Sequence, residues 1–394
     1  MASPFTPYRL GPVELRNRIV KAATFEGVMP RGAVTDELVD FHRRVARGGA
    51  ALTTVAYCAV MPAGRVQRHT LVMDEATSRD LRRLTDAVHA EGAAAAAQLG
   101  HAGLVADTRS NRMPTLAPST RPSMSAQGLV RRATEAQLDE VVLAFRTAAR
   151  HAVEAGFDVL ELHLGHGYLL SSFLSPQLNR RRDRWGGDLE ARSRFPRRVV
   201  AAVRDEVGGE VAVTAKVNMV DGPRRGMGID EGVEVVRLLE GDGDLDAVEL
   251  TAGSSLQDPM YLFRGDVPLE QMVATQPRAA GLGLRLVGPR LFRRYPFEEA
   301  FLRPLARRVR AAVGMPLILL GGINRLDTVE DALDEGFELV AMGRALLRDP
   351  DLVTSFREGT RTESRCTHCN ECMPTIYSGT HCVLAEPGRP VAPA

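Results

Sequence analysis

The chain has 394 residues and a formal net charge of +1, with 44% hydrophobic and 25% charged residues. Its length suits one large domain with appendages or two ordinary domains. The near-neutral charge gives no reason to expect nucleic-acid or anionic-membrane partners, and the apolar runs fall far short of a bilayer span. No charged segment followed by an apolar one opens the chain, so the expectation is a cytoplasmic protein, and five cysteines fit a reducing compartment better than a disulfide scaffold.

Residues 1–17 are turn-rich, and 18–23 then read as a first strand. Residues 35–48 have helical spacing, with Leu38, Phe41 and Val45 on one side, and 50–60 form an apolar second strand. A helix over 78–92 leads into a small-residue strand at 93–98, a contextual reading, because a run of alanines has high helix propensity. Residues 104–133 lack periodicity and read as a long loop. Thr134 and Gln137 make a capping box for a helix over 135–156. The strand opening at Phe157 passes into His163, His166, Gly167 and Tyr168. A helix over 189–207, a strand over 210–217, a helix over 229–240 and a strand over 246–250 follow. The segment 253–296 is long and irregular. A helix over 297–313, which Pro304 could kink, precedes strands at 316–320 and 339–342 with a helix at 326–336 between them.

Strand and helix thus alternate about eight times, which argues a (β/α)8 TIM barrel with a short C-terminal cysteine-containing extension. The boundaries are 1–355 for the barrel and 356–394 for the tail. A doubly wound sheet is the alternative, but no G-x-G-x-x-G follows the first strand.

In a barrel, two imidazoles and a phenol at a strand end are a candidate active site. Imidazoles at His163 and His166 could donate hydrogen bonds to a carbonyl or phenolate oxygen; metal ligation is the other reading, though no carboxylate–histidine motif completes a site. Cys366, Cys369, Cys372 and Cys382 read C-x2-C-x2-C-x9-C, a set of soft thiolates suited to a 4Fe–4S cluster, with zinc as the alternative and free thiols as the third reading.

Several strings resemble old yellow enzyme, the FMN-dependent NADH:flavin oxidoreductase family. They are N-R-I-V-K-A-A from Asn17, Q-L-G-H-A-G from Gln98, H-L-G-H-G-Y-L from His163, F-L-S-P-Q-L-N-R-R-x-D-x-W-G-G from Phe173, G-G-I from Gly321 and M-G-R-A-L-L-x-D-P from Met342. The cysteine tail is similar to that of the 2,4-dienoyl-CoA reductase and trimethylamine dehydrogenase branch. The resemblance implies an FMN barrel reducing an activated C=C bond of an enone or enoate, with NAD(P)H as electron source. It implies that His163 and His166 hold the activating oxygen and that Tyr168 protonates the α-carbon. It places Ala22, Gln98 and Lys216 around the flavin ring, with lysine where the family has arginine, and Gly321, Gly322, Gly343 and Arg344 at the phosphate.

Phe25 stands where the family has a small polar residue near flavin N5, and Tyr57 where a small residue is frequent. A dehydrogenase or demethylase of an amine or ring substrate is the rival activity, and a non-catalytic flavin- or phosphate-binding barrel subunit the rival class. A small-molecule substrate is expected, with no nucleic acid and no membrane; an electron-transfer partner protein and a homo-oligomer stay open.

Overall fold

The computed structural model describes residues 3–222, 225–276 and 278–385, so 386–394 of the tail lie outside the described residues. Eight parallel strands close on themselves: β1 (Ile19–Lys21), β2 (Leu52–Ala59), β3 (Ala94–Gly100), β4 (Val159–Leu164), β5 (Ala212–Asn218), β6 (Ala247–Thr251), β7 (Leu317–Leu320) and β8 (Leu339–Met342). Closure is made by β8 pairing with β1, Val340 opposite Ile19, and by β1 pairing with β2, Lys21 opposite Thr53. The expected barrel with its cysteine-containing extension is therefore the observed fold.

Between the strands run α1 (Asp36–Arg47), α2 (Glu75–Ala90), α3 (Glu135–Glu154), α4 (Leu189–Val207), α5 (Ile229–Asp242), α6 (Arg303–Arg310) and α7 (Leu326–Asp334). Side-chain oxygens of Thr35, Asp74, Thr134 and Asp188 cap α1 to α4, and Thr134 with Gln137 forms the expected capping box. Gly228 offers α5 no side-chain cap, so Asp230 and Glu231 in its first turn supply the charge that suits the helix dipole. Pro304 lies in the first turn of α6, where its missing N–H costs nothing, and the helix starts there instead of kinking.

The alanine run from Ala93 is a strand because every residue of β3 is buried. Packing on both faces overrides helix propensity there. Residues 1–17, read as turns, hold an antiparallel hairpin, Tyr8–Leu10 with Val13–Leu15. Leu10 and Leu15 close the bottom of the barrel over Val20, Leu52, Ala94, Val159, Ile318 and Leu339. The loop over 104–133 contains a small sheet, Leu116–Ala117, Arg121–Ser123 and Gly128–Arg132, and 253–296 contains helices Pro259–Phe263, Leu269–Ala274 and Arg278–Leu291.

Leu15 is fully buried in this plug. Leu15→Ala should lower unfolding free energy by about 2–5 kcal/mol in urea titration, as large-to-small core changes do. A loss below about 1 kcal/mol would show that the hairpin does not seal the barrel.

Candidate active site

The C-terminal end of β4 delivers the three residues singled out in the sequence. His163 points inward from the strand, and His166 follows it in a left-handed turn at φ +61. That turn is fixed from two sides. The Asn218 side-chain oxygen accepts from the His166 backbone N–H (3.1 Å), and His166 bridges to Ser254 in the loop after β6. The His166 Nε2 shares a 2.8 Å hydrogen bond with the Thr251 hydroxyl. Tyr168 starts the short helix Leu169–Leu174, and its ring centroid lies 4.3 Å from that of His163. The two imidazole centroids are 5.1 Å apart.

Tyr57 completes this wall, edge-on to Tyr168 with centroids 5.3 Å apart, its hydroxyl donating to the Gly64 carbonyl at 2.7 Å. Gly100 leaves room for it, because a Cβ there would lie 2.6 Å from the Tyr57 ring and 3.2 Å from His163 Cβ. The peptide bond before Tyr57 is cis, and the Ala56 N–H donates to the Glu26 carboxylate at 2.9 Å.

Burial drives the His163 imidazole well below the usual histidine range, and the neighbouring His166 and Lys216 push the same way. Burial and Lys216 bring His166 down to about 3. Both rings are neutral at pH 7, and each then carries one N–H. His163 Nδ1 is buried without a hydrogen-bond partner, so the ring retains capacity for a ligand.

Below the rings lies a charged layer that the motif reading did not assemble. Lys216 Nζ donates to Glu161 Oε1 at 3.1 Å and pairs with Glu249, all three side chains being buried. Gln98 Nε2 donates to Glu161 Oε1 at 2.6 Å. Gln98 and Lys216 are thus brought together, and both turn to Glu161; the amide oxygen of Gln98 remains as an acceptor. Burial pushes Glu249 up to about 7 even though Lys216 pulls it down. Burial alone would lower Lys216, but Glu161 and Glu249 more than offset it and hold it above its usual value. Lys21, fully buried on β1, is lowered to about 8 by burial against the pull of Glu26. The sequence signal for this layer was a charged residue inside each apolar strand: Glu161, Lys216 and Glu249.

Ala22 is buried at the end of β1, its N–H bonded to the Met342 carbonyl. Thr24 turns its hydroxyl to Lys21 (2.7 Å), while Phe25 packs against the core and its carbonyl accepts from Thr380. Gly321 and Gly322 sit at φ +116 and +73 after β7. A Cβ on Gly322 would strike the Phe301 ring at 2.6 Å, so glycine there serves close packing. At Gly343, which caps the short helix Arg344–Arg348, a Cβ would meet nothing within 4 Å. That open approach to backbone N–H groups is compatible with a phosphate, and His163 Nδ1 is a polar atom left without a protein partner. Part of the half-buried Arg344 guanidinium is turned to protein. It donates to the carbonyls of Phe263 and Arg264 and to the Asn370 side chain. His101 is buried with its Nδ1 accepting from Gly103, and Trp185 donates its indole N–H to Glu135.

The four tail cysteines share one neighbourhood, since Cys369 and Cys382 bear on Cys366 and on Cys372, and Cys369 bears on Cys382. Burial pushes Cys372 up to about 12 although Arg344 pulls it down, and burial also raises Cys366 and Cys382. Among the described residues, no group of three or more His, Cys, Asp or Glu side chains is gathered closely enough to hold a metal ion. No described helix is long and apolar enough to cross a membrane. A cavity of about 680 Å³ opens at the other end of the barrel, lined by Arg16, His89 and Asp158, away from the rings.

A family model described as the NADH:flavin oxidoreductase / NADH oxidase family matches residues 3–252. A 4,4'-dithiodibutanoate disulfide reductase from Rhodococcus erythropolis is 63% identical over 384 residues, covering 98% of this chain and 95% of the relative. A metal reductase from Desulforamulus reducens is 34% identical over 395 residues, 99% of this chain but 54% of its own length. Among solved structures, a 2-naphthoyl-CoA reductase complex superposes with a TM-score of 0.83 at 23% identity, over 97% of this chain and 56% of that one. An old yellow enzyme homologue from Zymomonas mobilis gives 0.71 at 22% identity, over 93% and 96%. The chain thus spans about half the length of the metal reductase and of the naphthoyl-CoA reductase. At these identities the structural likenesses speak for the fold.

The buried imidazoles set a pH dependence with a defined sign. His101 (about 4), His166 (about 3) and His163 are all lowered from 6.5, so between pH 6.5 and about 4 the unfolded chain takes up protons that the folded one refuses. Stability is therefore lost as pH falls through that window. Glu249, raised from 4.5 to about 7, acts in the opposite direction between those values. Among these groups three imidazoles outweigh one carboxyl, so the unfolding free energy from urea titration should fall on acidification, by about 1.4 kcal/mol per pH unit for each net proton. His166→Asn should flatten the slope; an unchanged slope would mean that His166 is not held neutral by its site.

Proposed function

The chain belongs to the NADH:flavin oxidoreductase / NADH oxidase family, an FMN-dependent group related to ene-reductases, and on that premise we propose that its electron acceptor is a small carboxylate-bearing disulfide. The observation that carries the proposal is the cluster of neutral imidazoles and a phenol, His163, His166 and Tyr168, at the end of β4. The acceptor class is supported by the 63% identical relative that reduces 4,4'-dithiodibutanoate.

Bound FMN would supply the two-electron relay between NAD(P)H and the acceptor. The site would hold it through Ala22, Gln98 and Lys216 at the ring and Gly321, Gly322 and Gly343 at the phosphate, with Arg344 bracing the adjoining loop. In balance, one NAD(P)H and one proton convert a disulfide into two thiols. The S–S bond breaks, and each sulfur ends with one hydrogen. Negative charge grows on the departing sulfur, and neutral N–H and O–H donors can stabilise it without rearranging. Tyr168 would give the proton. Reduction of an activated C=C bond is the second reading, favoured by the same wall: the imidazoles would hold the activating oxygen and Tyr168 would protonate the α-carbon.

For the four cysteines we infer a 4Fe–4S cluster, with zinc the competing ion. The spacing and the shared neighbourhood support it, and the thiols would have to draw together and lose their protons to bind. No step of the reaction above is routed through it. Anaerobically prepared protein should contain about four irons per chain and no stoichiometric zinc; metal-free protein of full activity would remove the cluster from the account.

The acceptor is read by anaerobic half-reactions. NADH or NADPH should bleach the flavin band near about 450 nm, and 4,4'-dithiodibutanoate should restore it faster than cyclohexenone. The reverse order would transfer the assignment to ene reduction, and recovery with neither would sink both. Tyr168→Phe should slow reoxidation by about 10²-fold while leaving bleaching nearly unchanged; equal slowing of both would remove Tyr168 as the donor.

A further inference from the structure

The chain leaves β6 through Thr251, passes Ser254 beside His166, and turns at Arg264, a left-handed residue at φ +47. The Arg264 guanidinium carbon lies 4.8 Å from the Phe301 ring centroid and 5.3 Å from that of Tyr261. Its Nε is buried with no hydrogen-bond partner, and among the described residues no carboxylate pairs with it. The two rings also locate it. Phe301 is the ring that abuts Gly322, and Tyr261 lies 3.2 Å from where a Cβ on Gly253 would be, next to Ser254 and hence to His166. Arg264 therefore stands one aromatic layer from the glycines after β7 and one layer from the backbone that holds His166.

Arg344, the arginine that the motif puts at the phosphate, commits three of its five N–H groups to Phe263 O, Arg264 O and Asn370. It braces the backbone on which Arg264 sits. A guanidinium packed on two aromatic faces keeps its edge N–H groups free, and that edge matches a planar oxyanion in a two-pronged bond.

We propose that Arg264 is an anion-binding residue of this rim, taking either the carboxylate of the acceptor or the phosphate monoester of the flavin. The carboxylate source rests on the acceptor reading above; the phosphate source does not.

The test compares charged and neutral members of two ligand pairs in wild type, Arg264→Gln and Arg264→Lys. The first pair is FMN against riboflavin, read as flavin release from the reconstituted holoenzyme by fluorescence. The second is 4,4'-dithiodibutanoate against its uncharged diamide, read as KM. If Arg264 binds an anion, one pair should split, with the charged member weakened roughly ten- to a hundred-fold in the Gln variant and the neutral member unmoved. Arg264→Lys, which keeps charge but loses the fork, should fall between. A split in the first pair assigns the phosphate, and a split in the second assigns the carboxylate. Equal weakening of both members of each pair, or no change in either pair, overturns the proposal. If the Gln variant does not fold, the Lys variant reads the same comparison. Wild-type protein that reduces neither disulfide ends the acceptor reading and leaves the flavin pair as the decisive arm.

Discussion

The candidate site depends on the compensation of one buried cation. Lys216 comes from β5 into a barrel interior where an unpaired ammonium would be untenable, and it is answered by Glu161 from β4 and Glu249 from β6. Gln98 from β3 donates to the same Glu161, so four consecutive strands are tied at one level of the rim. The consequence reaches the rings through strand geometry. Glu161 and His163 are two residues apart on β4, and a period of two sends both side chains inward. Whatever fixes Glu161 therefore fixes the height and direction of His163. The same cation also helps to keep both imidazoles neutral.

The tail adds a second constraint. Thr380 donates its backbone N–H to the Glu26 carbonyl and its hydroxyl to that of Phe25, while Asn370 reaches the carbonyls of Arg264 and Asp266. One segment thus fastens the loop after β1 to the loop after β6. The Glu26 carboxylate accepts from His42 at 3.1 Å and from the Ala56 N–H at 2.9 Å, next to Tyr57. Whether its cysteines bind metal or not, the tail is mechanically continuous with the ring wall, because the groups between them are buried and hydrogen-bonded.

How much of this could be read from sequence follows the distance between partners along the chain. The barrel was legible because each buried parallel strand is a short apolar run and each intervening helix repeats its own stripe. The rings were legible because His163, His166 and Tyr168 lie within six positions of one another. The hairpin beneath the barrel was not, since three-residue strands carry too little alternation to register among prolines and glycines. Glu161 and Glu249 were visible as charges in apolar strands, but only closure of the sheet makes them partners of Lys216. Arg344 is a further case of distant partners. Its string matches, yet its partners Phe263, Arg264 and Asn370 lie 81, 80 and 26 residues away, where local pattern has no reach.

The charged and neutral groups of the site are layered. Ion-paired Lys216, Glu161 and Glu249 lie below, and uncharged imidazole and phenol donors lie at the rim. A reaction that creates an anion at the rim, whether thiolate or enolate, meets donors already oriented and carrying no charge of their own to be neutralised. Such a wall discriminates poorly between a departing sulfur and an activating oxygen, since both need only an N–H or O–H at the right height. Selectivity must then come from groups that read the rest of the molecule. Candidates for that reading are Tyr57 beside the rings and the helical 253–296 segment that carries Arg264. On the reading proposed above, the β4 geometry would serve the chemistry and the loop after β6 the choice of acceptor.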